Sequence, residues 1–287
     1  MKKGWVIYSK ETLSSKFGNN AFDWMVESAS KYDMNVEVLF EEDFDLLTSG
    51  EQAVFLLNGK ELAKPDFAVM RSYGLDLARH LESSGVPVFN KPTAMAISQD
   101  KWQTHQVLCK KGLRSPDTLW TSTPRTYSDI LSILGSTFVV KGLLGSKGED
   151  VYLVEGPESY DKALKQLKGQ SVLYQRFVSE SAGTDIRVHV IGGQVVAAVR
   201  RVSEGDFKSN FHQGGAARAV AITEEMKDLS LAAAKALELD FAGIDLLESL
   251  EGPTICEVNA IPGFRTICLT SETDIPSLIF EHVAKVL

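Results

Sequence analysis

Near the C-terminus the chain reads FAGIDLLESLEGPTICEVNAIPGF (residues 241–264), two apolar runs joined by Ser-Leu-Glu-Gly-Pro. Short runs of this kind, bounded by turn residues, form a β-hairpin. Side chains two apart on a strand share a face, so Glu257 and Asn259 point the same way. With the turn centred on Glu251, Asp245 lies opposite Glu257 and Gly243 opposite Asn259. Two carboxylates placed face to face repel, and neither leaves water without a partner. A divalent cation between them, or arginines beside them, resolves the conflict, and the chain has candidates for both. Oxygen ligands without Cys or His suit Mg²⁺ or Mn²⁺ better than zinc.

The rest of the chain must build a scaffold under that hairpin. Its 287 residues exceed the usual size of one domain. Residues 1–90 alternate strands (GWVIYS, NVEVLFEED, DFAVMRS, VPVFN) with helices, which predicts a small α/β layer on a largely parallel sheet. One helix is expected over 91–112, stopped at Gly112. A strand at SPDTLW then begins a mixed segment to about residue 180, with a Gly-rich loop between two strands. Residues 181–287 open with the hairpin DIRVHVIGGQVVAAVRRV, whose tip is Gly-Gly-Gln, and close with the acidic hairpin. The predicted class is α/β (α+β), in three parts: 1–90, 91–180 and 181–287.

The stretch VVKGLLGSKGEDV ends an apolar strand on Lys141. Gly142, Gly145 and Gly148 loosen the loop that follows, letting its N–H groups and Lys147 settle on phosphates. The GxxxxGK[ST] pattern is absent, so this is no Walker loop. Lys101, Arg187, Arg200 and Arg201 add positive charge, and DIRVHV sets Asp185 and Arg187 on one face. Lysines and arginines together with a metal-binding carboxylate pair are what a bound triphosphate requires. His80, His105, His189, His212 and His282 have neither ligand spacing nor a triad context, and are expected to be surface or core fillers.

Net charge is −8, which argues against broad contact with nucleic acid or anionic lipid. No run approaches a membrane span, and MKKGWVIYSKETLSS lacks the apolar core of a signal peptide. A cytoplasmic location is expected, with Cys109, Cys256 and Cys268 as buried free thiols.

From about Lys91 to Phe264 the chain resembles the ATP-grasp superfamily, and within it the RimK-like amino-acid ligases. The resemblance rests on SQDKWQTHQVLCKKG, VVKGLLGSKG, VLYQRFV, DIRVHVIGGQVVAAVRR, GDFKSNFHQGG, AGIDLL and EVNAIPGF, in that order. It implies an ATP-grasp fold preceded by a Rossmann-like domain. The implied activity joins a small-molecule or peptide carboxylate to an amine through an acyl phosphate, consuming ATP with two Mg²⁺ or Mn²⁺ ions. On this resemblance Lys101 and Lys141 contact ATP. Gln175, Arg176, Phe177 and Val178 form the adenine linker, with the Arg176 and Val178 backbones facing the base. Asp185 holds the ribose, and Lys208, Ser209 and Asn210 lie against the triphosphate. Asp245, Glu257 and Asn259 bind metal, Arg187 and Arg200 act in catalysis, and Arg71, Arg201 and Arg265 contact substrate. Arg176 stands where the linker usually has an acidic residue. FRTI follows EVNAIPG where glutamate-adding relatives continue with an acid, so glutamate specificity is not expected to transfer. A non-catalytic, synapsin-like ATP binder and a D-alanine–D-alanine-type ligase are the alternatives. Relatives are often dimers or tetramers, but no seam is legible in the sequence.

Overall fold

The computed structural model describes residues 1–14, 20–144, 150–203, 206–208 and 216–287. Gly145, Lys147, Gly148, Ser209, Asn210 and His212 lie outside them.

The first strand, β1 (Lys2–Tyr8), is followed by α1 (Asn20–Ser30) and β2 (Met34–Phe40). Next comes an antiparallel meander of β3 (Phe44–Ser49), β4 (Gln52–Leu57) and β5 (Lys60–Leu62). The layer then resumes with β6 (Phe67–Met70), α2 (Leu75–Ser83) and β7 (Val88–Phe89). Its sheet has the order β2-β1-β6-β7 and is parallel throughout, as predicted. Both faces of β1 are covered, which is why WVIY is continuously apolar: Trp5 and Ile7 enter one core, Val6 and Tyr8 another.

The single helix expected over 91–112 is two: α3 (Pro92–Gln99) and α4 (Lys101–Lys110). Asp100 breaks it with an extended backbone, and its carboxylate accepts from the Gln103 N–H at 3.0 Å as the N-cap of α4. There follow β8 (Thr118–Trp120), α5 (Tyr127–Leu134), β9 (Phe138–Gly142), β10 (Val151–Val154), α6 (Pro157–Leu167) and β11 (Val172–Arg176). Their sheet, β10-β9-β11-β8, covers a self-contained core around Phe138, Tyr160 and Tyr174.

A five-stranded sheet ordered β14-β13-β12-β15-β16 makes the last part. It comprises β12 (Thr184–Ile191), β13 (Gln194–Val202), β14 (Ala216–Ala219), β15 (Phe241–Ser249) and β16 (Gly252–Asn259), with α7 (Glu224–Ala236) packed on one face. Two helices that the sequence reading passed over, α8 (Arg265–Ser271) and α9 (Ile275–Val286), finish the chain. Ile279, Phe280 and Val283 of α9 share a core with Met25 and Ala29 of α1, returning the C-terminus to the first layer.

Asn90 fixes the first layer to the five-stranded sheet. Its Nδ2 donates to the Phe241 and Ala260 carbonyls at 2.7 and 2.8 Å. Its Oδ1 accepts from the Asp240 and Phe241 N–H groups at 2.6 and 3.1 Å. Asn90→Ala would strand these buried groups and is expected to lower unfolding free energy by about 2–4 kcal/mol in urea titrations. A loss under about 1 kcal/mol would show that the link contributes little.

Candidate active site

The acidic hairpin pairs as expected, Asp245 with Glu257 and Gly243 with Asn259, but by a different route. Its turn is the two-residue Leu250–Glu251, since Ser249 pairs with Gly252. A β-bulge then leaves Cys256 as an extra residue between Ile255, opposite Leu246, and Glu257, opposite Asp245. Without the bulge Cys256 would pair with Asp245, and Glu257 would face away from it. Gly243 is required where it stands, because a Cβ there would lie 2.8 Å from Cβ of Pro262.

Asp245 takes the arginine solution. Arg187, its partner across β12 and β15, donates Nε to Oδ1 at 2.7 Å and Nη2 to Oδ2 at 2.6 Å. Arg201 donates to the same Oδ2 at 2.8 Å, and its fork also grips both oxygens of Asp185. Burial alone would push the Asp245 carboxyl up; Arg187 and Arg201 outweigh it and hold the carboxyl well below the usual carboxylate range. Asp185, expected to hold a ribose, is thus bound into this network.

Arg200, expected beside the reaction, is on the other face of the sheet, 2.5 Å from Glu248. The reason is again a bulge. Ile191 pairs with Gln194 across the Gly192–Gly193 tip, but Val196 is extra, so Asp185 opposes Arg201 rather than Arg200.

Glu257 lies outside the guanidinium network and lines a narrow cleft of about 10 Å³ with Ser98, Lys101, His105 and Cys256. Burial lowers the pKa of Lys101, with Glu257 opposing and Lys141 adding to the fall. Lys141, near the end of β9, donates Nζ to Gln175 Oε1 at 2.6 Å and lies 3.5 Å from Cys256 Sγ. The Gln175 amide then donates to His105 Nε2 at 3.0 Å and to Thr118 Oγ1 at 2.9 Å. Burial, with Lys141 and Lys101 nearby, takes the His105 pKa down to about 3, so the ring is neutral and able to accept. His105 is a site residue the sequence reading missed; its position one helical turn beyond Lys101 was the available signal.

Along the linker, the Arg176 N–H is engaged by the Asp117 carbonyl at 2.9 Å, and its guanidinium by the Asp117 carboxylate at 2.7 Å. Phe177 packs edge-on against Phe207, 6.3 Å between centroids, and Lys208 Nζ lies 5.8 Å from the Phe207 ring. Val178 accepts from the Ser181 N–H at 3.2 Å. Asn259 Oδ1 accepts from the Ile261 N–H at 2.8 Å and from the Tyr73 hydroxyl at 3.3 Å. Tyr73 too was missed, because it comes from the first layer. Arg71 donates to the Pro262 carbonyl at 2.7 Å and lies 5.1 Å over the Phe264 ring, while Arg265 opens α8. The free cysteines differ from expectation: Cys109 is exposed, and Cys256 and Cys268 are partly so.

Among the described residues no group of three His, Cys, Asp or Glu side chains could hold a metal ion. The donor set is therefore two carboxylates and an amide. Glu257 fits Mg²⁺, which takes one or two carboxylates and completes its shell with phosphate and water; Asn259 fits when its Oδ1 gives up the Tyr73 hydroxyl. Asp245 fits only when a guanidinium gives up one of its oxygens. Among the described residues no helix is long and apolar enough to cross a membrane.

Comparison with known proteins adds the family. The model of the RimK-like ATP-grasp domain matches residues 98–283. A probable alpha-L-glutamate ligase of Methanococcoides burtonii is 36% identical over 237 residues, 79% of each chain. One from Aliivibrio fischeri is 33% identical over 271 residues, 91% of this chain and 90% of the relative. In fold the chain is similar to a RimK domain protein from Sphaerobacter thermophilus, with TM-score 0.76 at 16% identity over 98% of this chain and 99% of that one. It is also similar to the ATP-bound D-alanine–D-alanine ligase of Bacillus anthracis, with TM-score 0.73 at 19% identity over 99% and 97%. The chain belongs to the RimK-like ATP-grasp family of ATP-dependent carboxylate–amine ligases.

Proposed function

We propose that the cleft between Lys141 and Glu257 is where a substrate carboxylate takes the γ-phosphoryl group of ATP, and that an amine then displaces phosphate from the acyl phosphate. The observation that carries this reading is the convergence of Lys101 and Lys141, from two separate elements, on the side of the hairpin that bears Glu257. Lys141 is oriented by Gln175, and Gln175 in turn by neutral His105 and Thr118. That relay aims an ammonium at phosphate oxygens with little freedom to wander. The Val178 N–H, free of hydrogen bonds among the described residues, is a donor suited to the adenine edge.

Glu257 and Asn259 would hold Mg²⁺, with Asp245 as a further ligand; the ion supplies charge neutralisation on the transferring phosphoryl group. Arg187 is the group best placed to face the tetrahedral oxyanion formed by amine attack, with Arg201 behind it. Arg200 leaves that role to them, being across the sheet. A protein or free-metabolite amine, and single or repeated addition, are both compatible with this chemistry.

ADP release from ATP with paired amino acids and dipeptides tests the reading; no release with any pair would reject it. Lys141→Ala is expected to weaken ATP binding about tenfold, as loss of one charge-assisted hydrogen bond implies. Calorimetry showing unchanged affinity would remove Lys141 from the nucleotide site.

A further inference from the structure

A cavity of about 500 Å³ lies outside the cleft just described, between the 3-10 turn Glu41–Asp43, the start of β3 and the entry to α2. Its size suits a small ligand or a side chain. It sits at the carboxyl ends of β2 and β6, on either side of β1, where the strand order reverses. Open parallel sheets take their ligands at that point. Tyr73 forms part of its wall and reaches Asn259, so the cavity borders the ligase site.

The lining joins apolar side chains (Phe44, Leu46, Leu75) to three carboxylates, Glu41, Glu42 and Asp76, and one cation, Arg79. Two of the carboxylates are already occupied. Glu42 accepts from the Ser9 hydroxyl at 2.6 Å and the Lys10 N–H at 2.9 Å, and Asp76 lies 3.5 Å from Arg79. Glu41 is different. It accepts from the Ser72 hydroxyl at 2.7 Å, and among the described residues no basic side chain bridges to it. Burial pushes its carboxyl pKa up, against the Ser72 hydroxyl and with Glu42 adding to the rise. Gly74 preserves the space it occupies: a Cβ there would come within 2.0 Å of Glu41 Oε2. A half-buried carboxylate bridged by no basic side chain among the described residues, in a wall that also carries Phe44, Leu46 and Leu75, matches an aliphatic stem that ends in a cation.

We propose that this cavity receives the basic side chain of a ligase substrate, an ammonium or guanidinium on an aliphatic stem, carried by a free amino acid or by a peptide. The assignment of that ligand as a substrate rests on the ligase reading; the preference for a cation rests on the cavity alone.

The test is calorimetric titration of the full chain with L-lysine, its uncharged counterpart L-norleucine, and the tripeptides Gly-Lys-Gly and Gly-norleucine-Gly. At least one lysine ligand is expected to bind ten times more tightly than its norleucine counterpart. Binding of free lysine marks a metabolite; binding of the tripeptide alone marks a peptide. Glu41→Gln, which keeps an acceptor for Ser72, is expected to erase the preference. Leu46→Lys, at an exposed wall position, is expected to do the same and guards against a folding defect in the first variant. No binding by any ligand, equal affinity for lysine and norleucine, or an undiminished preference in both variants would overturn the proposal. ADP formation is read separately. Lysine binding with no ADP from any substrate pair would sink the ligase reading and leave the site. ADP formation without charge preference would do the reverse.

Discussion

Glu257→Gln is expected to reduce ADP formation by about three orders of magnitude, equivalent to about 4 kcal/mol of transition-state stabilisation. The folded state should barely change. The amide has the same shape, and Glu257 stands apart from the arginine network that holds Asp245. The melting temperature should stay within about 2 °C of the parent, a stability change under about 1 kcal/mol for a chain of this size. ADP formation and thermal unfolding measured on one preparation settle the matter. Near-parental turnover would remove Glu257 from the reaction, and a large drop in melting temperature would make its role structural.

Asp245→Asn should behave in the opposite sense, with a loss of fold stability of about 3–5 kcal/mol. The physical cause is the partner left behind. Arg187 and Arg201 are 18% and 10% exposed, and both pair with Asp245. Removing the carboxylate leaves Arg187 without its counter-ion, whereas Arg201 retains Asp185. The loss should therefore be smaller for a variant that also removes the stranded charge. Asp245→Asn combined with Arg187→Met is expected to recover part of the stability, because an apolar replacement of a buried pair is often neutral. Urea midpoints of the single and double variants test this. A single-variant loss under about 1 kcal/mol would mean that water, rather than the carboxylate, compensates these guanidinium groups.

Much of the scaffold could be read from local pattern. The parallel first layer follows from apolar runs buried on both faces. The facing of Asp245 by Glu257, expected from a turn centred on Glu251, is reached instead by a two-residue turn and a bulge. The meander β3–β5 carried a plain signal that went unread: Asn58–Gly59, both at positive φ, form a two-residue hairpin turn. The start of α4 likewise had a signal, since Asp100 with Gln103 three residues on is a helix-capping pattern, and Gln103 bonds back to the Asp100 carboxylate. Other features had no local signal. The partnership of Arg187 with Asp245 joins strands that neither a turn nor a short loop connects, so periodicity assigns each to a face without pairing them.

Which of Arg200 and Arg201 stands beside Asp185 is decided by a bulge. Both hairpins of the five-stranded sheet combine a two-residue turn with one extra residue, Val196 in one and Cys256 in the other. Each extra residue reverses the parity of everything beyond it. Counting back from the turn alone would place Arg200, rather than Arg201, beside Asp185. It would also turn Glu257 into the α7-facing interior.

The interior formed by Phe138, Tyr160 and Tyr174 has no buried side chain in common with the cores beneath the remaining sheets. Among the described residues that piece is joined to the rest by local links: the Gln175–His105 hydrogen bond, the Lys141–Cys256 contact, and the Trp102–Trp120 ring stack at 6.2 Å. The Lys101 N–H to Leu143 carbonyl bond at 3.3 Å is a further link, so that piece is tied to the rest by polar and aromatic contacts rather than by a shared apolar interior. A tilt of that piece would have to break the buried hydrogen bond between Gln175 and His105, 2% and 6% exposed, so it would not be free of cost.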